Sequence, residues 1–126
     1  MSKLNEKRIN KQFARQRKEK GYADCDAWEM RTWFLQTARP ILLEMAVNTD
    51  NHPHELEFEQ WREILERMAK LLELMDIWDD TALRKELQIP EGATGDDVTI
   101  RLNEKRNEAK DEFFSLFNRW FFDLWY

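Results

Sequence analysis

The sequence predicts an all-α protein, a single-domain bundle of about four helices whose second helix is kinked. Apolar residues recur at helical spacing through most of the 126-residue chain. β-branched residues are few, and no apolar–polar alternation lasts long enough to predict a strand. Only three glycines and three prolines interrupt the pattern, and a chain of this length can bury a core without disulfide bonds.

The first segment, residues 3–20, consists of good helix formers with no breaker, and Gly21 is the expected stop. Residues 1–20 carry eight Lys/Arg against two Glu, whereas residues 21–126 carry twelve Lys/Arg against twenty-three Asp/Glu. The predicted organisation is therefore a basic N-terminal helix or arm, residues 1–20, followed by an acidic helical bundle domain, residues 21–126.

The second helix is expected over residues 27–46, where apolar side chains form a wide stripe at helical spacing. Asp26 and Glu29 have the three-residue separation of a capping box at its start. Pro40 removes one backbone hydrogen bond and moves Arg39 away from helical geometry, so a kink near Arg39, or two short helices, is expected.

The third helix has the cleanest periodicity in the chain. A 3-4-3-4-3 spacing links Phe58, Trp61, Leu65, Met68, Leu72 and Met75. On the opposite side, Glu63 with Arg67 and Glu66 with Lys70 have the separation and order of supportive i, i+4 ion pairs. We expect this helix to pack against another helix.

Two further helices follow. A short one begins after Asp79 or Asp80 and ends before Pro90. The final helix is capped by Thr94 or Asp96, and its first half is mostly charged.

The last fourteen residues hold eight of the sixteen aromatic side chains, and leaving so many rings in water forgoes a large burial free energy. One helical face is expected to line the core and holds Phe113, Phe117, Trp120, Phe121 and Leu124. The expected core neighbours of this face are Trp28, Phe34, Trp61 and Leu65. A helix packed on one side cannot bury every ring. The side chains predicted to contact a partner are Phe114, Phe122, Trp125 and Tyr126.

No residue set predicts catalysis, a cofactor or a metal. Cys25 lies between two carboxylates with no histidine nearby, which favours a structural role. His52 and His54, with Asp50 and Glu55, could bind a metal, but structural zinc usually takes four ligands and prefers thiolates, so a solvated loop is favoured. No Gly-rich phosphate loop is present.

The N-terminus lacks the apolar region of a signal peptide, and no apolar run is long enough to span a bilayer. The single cysteine fits a reducing compartment. We expect a cytoplasmic protein with no membrane partner.

An excess of carboxylates runs through the middle of the chain. Carboxylates on a rigid helix can occupy a basic groove on a partner, including one that binds DNA. The predicted acidic contact residues are Glu55, Glu59, Glu63 and Glu66. The alternative is that this surface serves only solubility.

Three stretches form a recognisable set of motifs. They are the Gly21-Tyr22-x-Asp24-x-Asp26-x-Trp28 start, the Phe58-x-x-Trp61-x-x-Ile64-Leu65 pattern, and the aromatic C-terminal Trp120-Phe121-x-x-Leu124-Trp125 motif. This set resembles a family of small uncharacterised phage and prophage helical proteins. The resemblance implies a mobile-element origin and carries over no catalytic role.

Three functions follow as hypotheses. The first is a non-enzymatic phage or mobile-element accessory protein that binds a host protein, such as a CRISPR nuclease or another defence effector, and inhibits it through the acidic helix. The second is a nucleic-acid-associated or virion accessory protein that uses the basic arm, which is disfavoured because that arm has few stacking rings and the rest of the chain is acidic. The third is self-assembly, with the aromatic C-terminal helix as a dimer contact.

Overall fold

A computed structural model of the protein describes residues 2–125, all helices, turns and loops with no strand among them. The all-α class is therefore confirmed. Four helices are long: α1 (Lys3–Lys20), α3 (Met30–Asn48), α4 (Phe58–Leu74) and α6 (Asp96–Trp120). Two are short, α2 (Asp24–Trp28) and α5 (Thr81–Glu86), and a 3₁₀ turn, Phe121–Asp123, follows α6.

The chain forms two compact units, Met1–Phe34 (unit 1) and Leu35–Tyr126 (unit 2). Unit 1 contains α1, α2 and the first turn of α3, and among its described residues the one buried apolar side chain is Ala23. The predicted division after residue 20 stays a prediction.

Helix α1 ends where the sequence predicts, because Gly21 adopts φ +86° and its N–H donates to the carbonyl of Arg17. The prediction that Asp26 and Glu29 cap the start of the next helix is wrong, because that helix begins earlier than expected. α2 begins at Asp24, so Asp26 lies in its first turn and its carboxylate accepts from the N–H of Ala23, at 2.8 Å. Glu29 lies in a break between α2 and α3 and pairs with Arg31.

The predicted interruption at Pro40 does not divide the helix, because α3 continues through it to Asn48. The break falls at Glu29 instead, where φ is −143° and ψ is 73°. Gln36 and Pro40 are both exposed, so water can donate to the Gln36 carbonyl oxygen the hydrogen bond that the proline cannot supply.

The core of unit 2 lies between α4 and α6, which pack against each other as the periodicity predicts. Trp61 of α4 contacts Trp120 of α6 edge to face at 5.8 Å, and Arg67 pairs with Glu112, so the two helices run antiparallel. The fully buried side chains of α4 are Trp61, Leu65, Met68, Ala69, Leu71, Leu72 and Leu74.

Candidate functional site

The acidic side chains predicted to contact a partner are exposed. Glu59, Glu63 and Glu66 lie within about 60° of one another around the axis of α4, on the side opposite its buried residues. Glu55 is exposed in the turn before the helix. We refer to Glu59, Glu63 and Glu66 as the α4 acidic face.

The ion pair predicted between Glu63 and Arg67 does not form. The Arg67 guanidinium instead donates two hydrogen bonds to the carboxylate of Glu112 on α6, at 2.6 and 2.7 Å. This contact raises the pKa of Arg67 and lowers that of Glu112, chiefly through the hydrogen bonds between them. Within residues 2–125, Glu63 therefore has no cationic partner.

The pair predicted between Glu66 and Lys70 is also absent. Lys70 lies 3.4 Å from Glu73, one turn further on, and Glu73 also receives a hydrogen bond from Arg39 of α3. The Arg39 contact joins α3 to α4, and the Lys70–Glu73 contact directs the lysine away from Glu66. Among the described residues, no cation pairs with Glu66.

Arg62 is the third cation of α4, and its contacts were not predicted from the sequence. Its Nε donates to the carbonyl oxygen of Ala46 in the last turn of α3, at 3.0 Å. Its Nη1 lies 3.3 Å from Glu59, so Glu59 is the member of the α4 acidic face that is partly neutralised. The three cations of α4 are thus all engaged. Arg67 and Arg62 contact neighbouring helices, and Arg62 and Lys70 each pair with a carboxylate three residues away on α4.

The aromatic side chains predicted to contact a partner are exposed where the structure describes them. The exposed fractions are 46% for Phe114, 89% for Phe122 and 62% for Trp125. Tyr126 lies outside the described residues. Their exposure agrees with the prediction, and their role as partner contacts stays a prediction.

The aromatic face predicted to line the core is buried only in part. Phe113 and Trp120 are buried, and Phe117 is half-buried and stacks on Phe113 at 5.3 Å. Phe121 is 51% exposed, so its assignment to the core is wrong. At 100° per residue, Phe121 lies about 80° around the helix axis from Phe113 and about 100° from Trp120, so it is at the edge of the buried face.

Trp28, which was also assigned to the core, is 73% exposed. Its ring contacts Phe13 edge to face at 5.9 Å within unit 1. The helix is broken at Glu29, so Trp28 does not lie on the same helical face as the apolar residues of α3. Phe34 is half-buried, whereas Trp61 and Leu65 are buried as predicted.

The acidic and aromatic side chains form two separate surfaces. Glu112, which reaches Arg67 beside the α4 acidic face, lies about 160° around the α6 axis from Phe114. Phe114 therefore lies on the other flank of α6. We refer to the exposed side chains Phe114, Phe121, Phe122 and Trp125 as the aromatic surface.

The basic arm is an ordered helix that packs against α2. Arg17 makes two hydrogen bonds to the carboxylate of Asp26, at 2.9 and 3.0 Å. These bonds, followed by the bond from the Ala23 N–H, lower the pKa of Asp26 to about 2. Lys20 pairs with Asp24 at 2.9 Å, which lowers the pKa of that carboxyl as well.

The remaining polar features have structural contacts. Cys25 is half-buried beside Arg17 and Asp26. The Nδ1 atom of His52 lies 3.0 Å from the carbonyl oxygen of Pro53. Among residues 2–125, no group of three or more His, Cys, Asp or Glu side chains is arranged to hold a metal ion.

An open cleft of about 690 Å³ lies among α3, α4 and α5. Its walls carry both signs of charge, and two of its basic groups, Arg39 and Lys70, are paired with Glu73. The Arg39–Glu73 pair links α3 to α4 at the cleft.

No known protein family, curated protein or solved structure matches the chain. The resemblance to phage proteins therefore stays a prediction. None of the helices in residues 2–125 has both the length and the apolar character needed to cross a membrane.

Proposed function

We propose that this chain is a non-enzymatic accessory protein of a phage or mobile element that acts in the host cytoplasm by binding a host protein. The partner proposed is a nuclease or another defence effector, such as a CRISPR nuclease, and binding inhibits it. The α4 acidic face is the proposed contact. The motif resemblance supports the origin, and the arrangement of charge on α4 supports the mode of action.

The observation that carries the proposal is the lack of cationic partners for Glu63 and Glu66. Both have a basic residue four positions later in the sequence, yet Arg67 and Lys70 bind other carboxylates. Like charges one helical turn apart cost a few tenths of a kcal/mol. A partner that supplies Lys or Arg side chains would relieve this repulsion.

The charge of unit 2 supports the same interpretation. Residues 35–126 contain eleven Lys/Arg against twenty Asp/Glu, so the field around this unit is strongly negative. Such a field accelerates the association of unit 2 with a basic surface. α4 is anchored by its fully buried core residues, so its carboxylates are held on a rigid support.

A pull-down from a bacterial lysate tests this function. The full chain carrying Glu63→Gln and Glu66→Gln is compared with the wild type and with a control carrying Glu91→Gln and Glu104→Gln. The control residues are exposed, have no ion pair among the described residues and give the same change in net charge. We expect one protein to be recovered by the wild type and the control but not by the first variant. Equal recovery by all three, or no recovered protein, would contradict the proposal.

Self-assembly through the aromatic surface is a second candidate, favoured by the 89% exposure of Phe122. Aromatic side chains are enriched at protein interfaces, and homodimers commonly bury such surfaces. Light scattering on the full chain and on a Phe122→Asp, Trp125→Asp variant tests it. Trp120 is unsuitable for this test because it is buried. A wild-type monomer would exclude self-assembly.

A further inference from the structure

We propose that the outer face of α1 binds the phosphate backbone of double-stranded nucleic acid. This function is separate from the protein contact proposed for α4. It rests on the positions of the basic side chains of α1 and on the polar contacts that fix the opposite side of α1 to α2.

Six of the eight basic side chains of α1 lie within about 140° around its axis. They are Lys3, Lys7, Arg8, Lys11, Arg15 and Lys18. From Lys3 to Lys18 the rise is about 22 Å. All six are exposed, and none has an ion pair within residues 2–125. We call them the α1 basic face.

The opposite side of α1 is fixed to α2 by polar contacts. Arg17 binds Asp26 through two hydrogen bonds. Gln16 both donates to the Asp24 carboxylate and accepts from the Asp24 N–H, each at 2.8 Å. Lys20 also binds Asp24. The two cations outside the basic face are thus the ones used within unit 1, and their contacts set which side of α1 faces outward.

The basic face is unfavourable for the isolated helix. Lys7 and Lys11, and Lys11 and Arg15, are like charges at i, i+4 separation, which destabilises a helix by a few tenths of a kcal/mol per pair. A polyanion removes this repulsion and releases its own counterions when it binds. The arrangement is therefore stabilised by a ligand with closely spaced negative charges.

The composition of the basic face favours a duplex over a single strand or a membrane. Its one large apolar side chain is Leu4, and it has no aromatic ring on which bases could stack. The ring of Phe13 is turned to the other side and contacts Trp28. A helix that lies in a membrane surface needs a broad apolar face, which α1 lacks because its large apolar residues are few. A phosphate backbone requires only the cations.

Fluorescence anisotropy of a labelled random-sequence DNA duplex, titrated with the full chain over a range of salt concentrations, tests the proposal. Six phosphate contacts predict a slope of log K against log salt of up to about −5. Lys7→Gln with Lys11→Gln should reduce the steepness of this slope by about 2. Glutamine has nearly the helix propensity of lysine, so α1 should stay folded, which circular dichroism checks.

The matched control is Arg31→Gln with Lys110→Gln. It removes the same charge from the chain, but both cations lie outside α1 and are paired with carboxylates in the wild type. We expect its salt slope to equal that of the wild type. An equal reduction in both variants, absence of duplex binding at low salt, or tighter binding to a single strand or to anionic lipid vesicles would overturn the proposal.

Discussion

Replacing Trp61 by Ala should remove the largest single contribution to the packing of α4 on α6. Trp61 is 1% exposed and contacts the ring of Trp120. A tryptophan buries up to about 250 Å², which at about 25 cal/mol per Å² gives an upper limit near 6 kcal/mol. Because the site relaxes in part, we expect a loss of about 3 to 5 kcal/mol in the free energy of unfolding.

The assay is urea unfolding followed by far-ultraviolet circular dichroism, which does not depend on the deleted indole. Phe122→Ala is the control, since this ring is 89% exposed and its loss should cost about 0.5 kcal/mol or less. A double-mutant cycle with Trp120→Ala should give a coupling of about 0.5 to 1.5 kcal/mol for the ring pair. A loss below about 1.5 kcal/mol for Trp61→Ala, or equal losses for Trp61→Ala and Phe122→Ala, would refute the packing described for α4 and α6.

Three further predictions concern the polar and backbone contacts. Pro40→Ala should raise the free energy of unfolding by up to about 3 kcal/mol in urea unfolding, because α3 continues through the proline; a loss would contradict this. A double-mutant cycle of Arg67→Gln and Glu112→Gln should give a coupling of about 0.2 to 1 kcal/mol that weakens as salt is added, since both side chains are 44% exposed; a salt-independent coupling would disagree. The pKa of Asp26 is lowered to about 2, so its contribution to folding is complete above its ordinary pKa and is lost as pH falls from about 4 to about 2. NMR signals of Trp28 should report this loss in the wild type but not in Asp26→Asn.

The sequence was sufficient to predict which face is buried on a helix that has one continuous apolar stripe. On α4 the 3-4 spacing continues for more than four turns, and the side chains that it places at the centre of the stripe are those that are buried. Gly21 was also predictable, because a positive φ at the end of a helix strongly favours glycine.

The ion pairs of α4 could not be predicted from local spacing. An i, i+4 pair on an exposed helix is worth only a few tenths of a kcal/mol, so a competing carboxylate on another helix can displace it. Glu112 is 45 residues away from Arg67 in the chain and offers two parallel hydrogen bonds. The unpaired state of Glu63 follows from this long-range contact and is visible only in the fold.

The aromatic surface was predicted only in part. Phe114 lies within α6 and is exposed as expected. Phe121 directly follows the buried Trp120, so it lies about 100° around the axis from that residue, at the edge of the face that packs on α4. At Trp28 the cause is different, because the helix breaks at Glu29 and the periodicity of α3 does not extend back to Trp28.

The most direct test of the α4 acidic face is the affinity of the partner recovered in the pull-down, measured by calorimetry at several salt concentrations. Neutralising Glu63 and Glu66 should weaken binding by about a hundredfold or more, since two charge-assisted contacts are lost and each is worth about 1.5 kcal/mol or more. The Glu91→Gln, Glu104→Gln control should keep the wild-type dissociation constant. Equal dissociation constants for the wild type and the Glu63→Gln, Glu66→Gln variant would contradict the assignment of this face as the partner-binding surface.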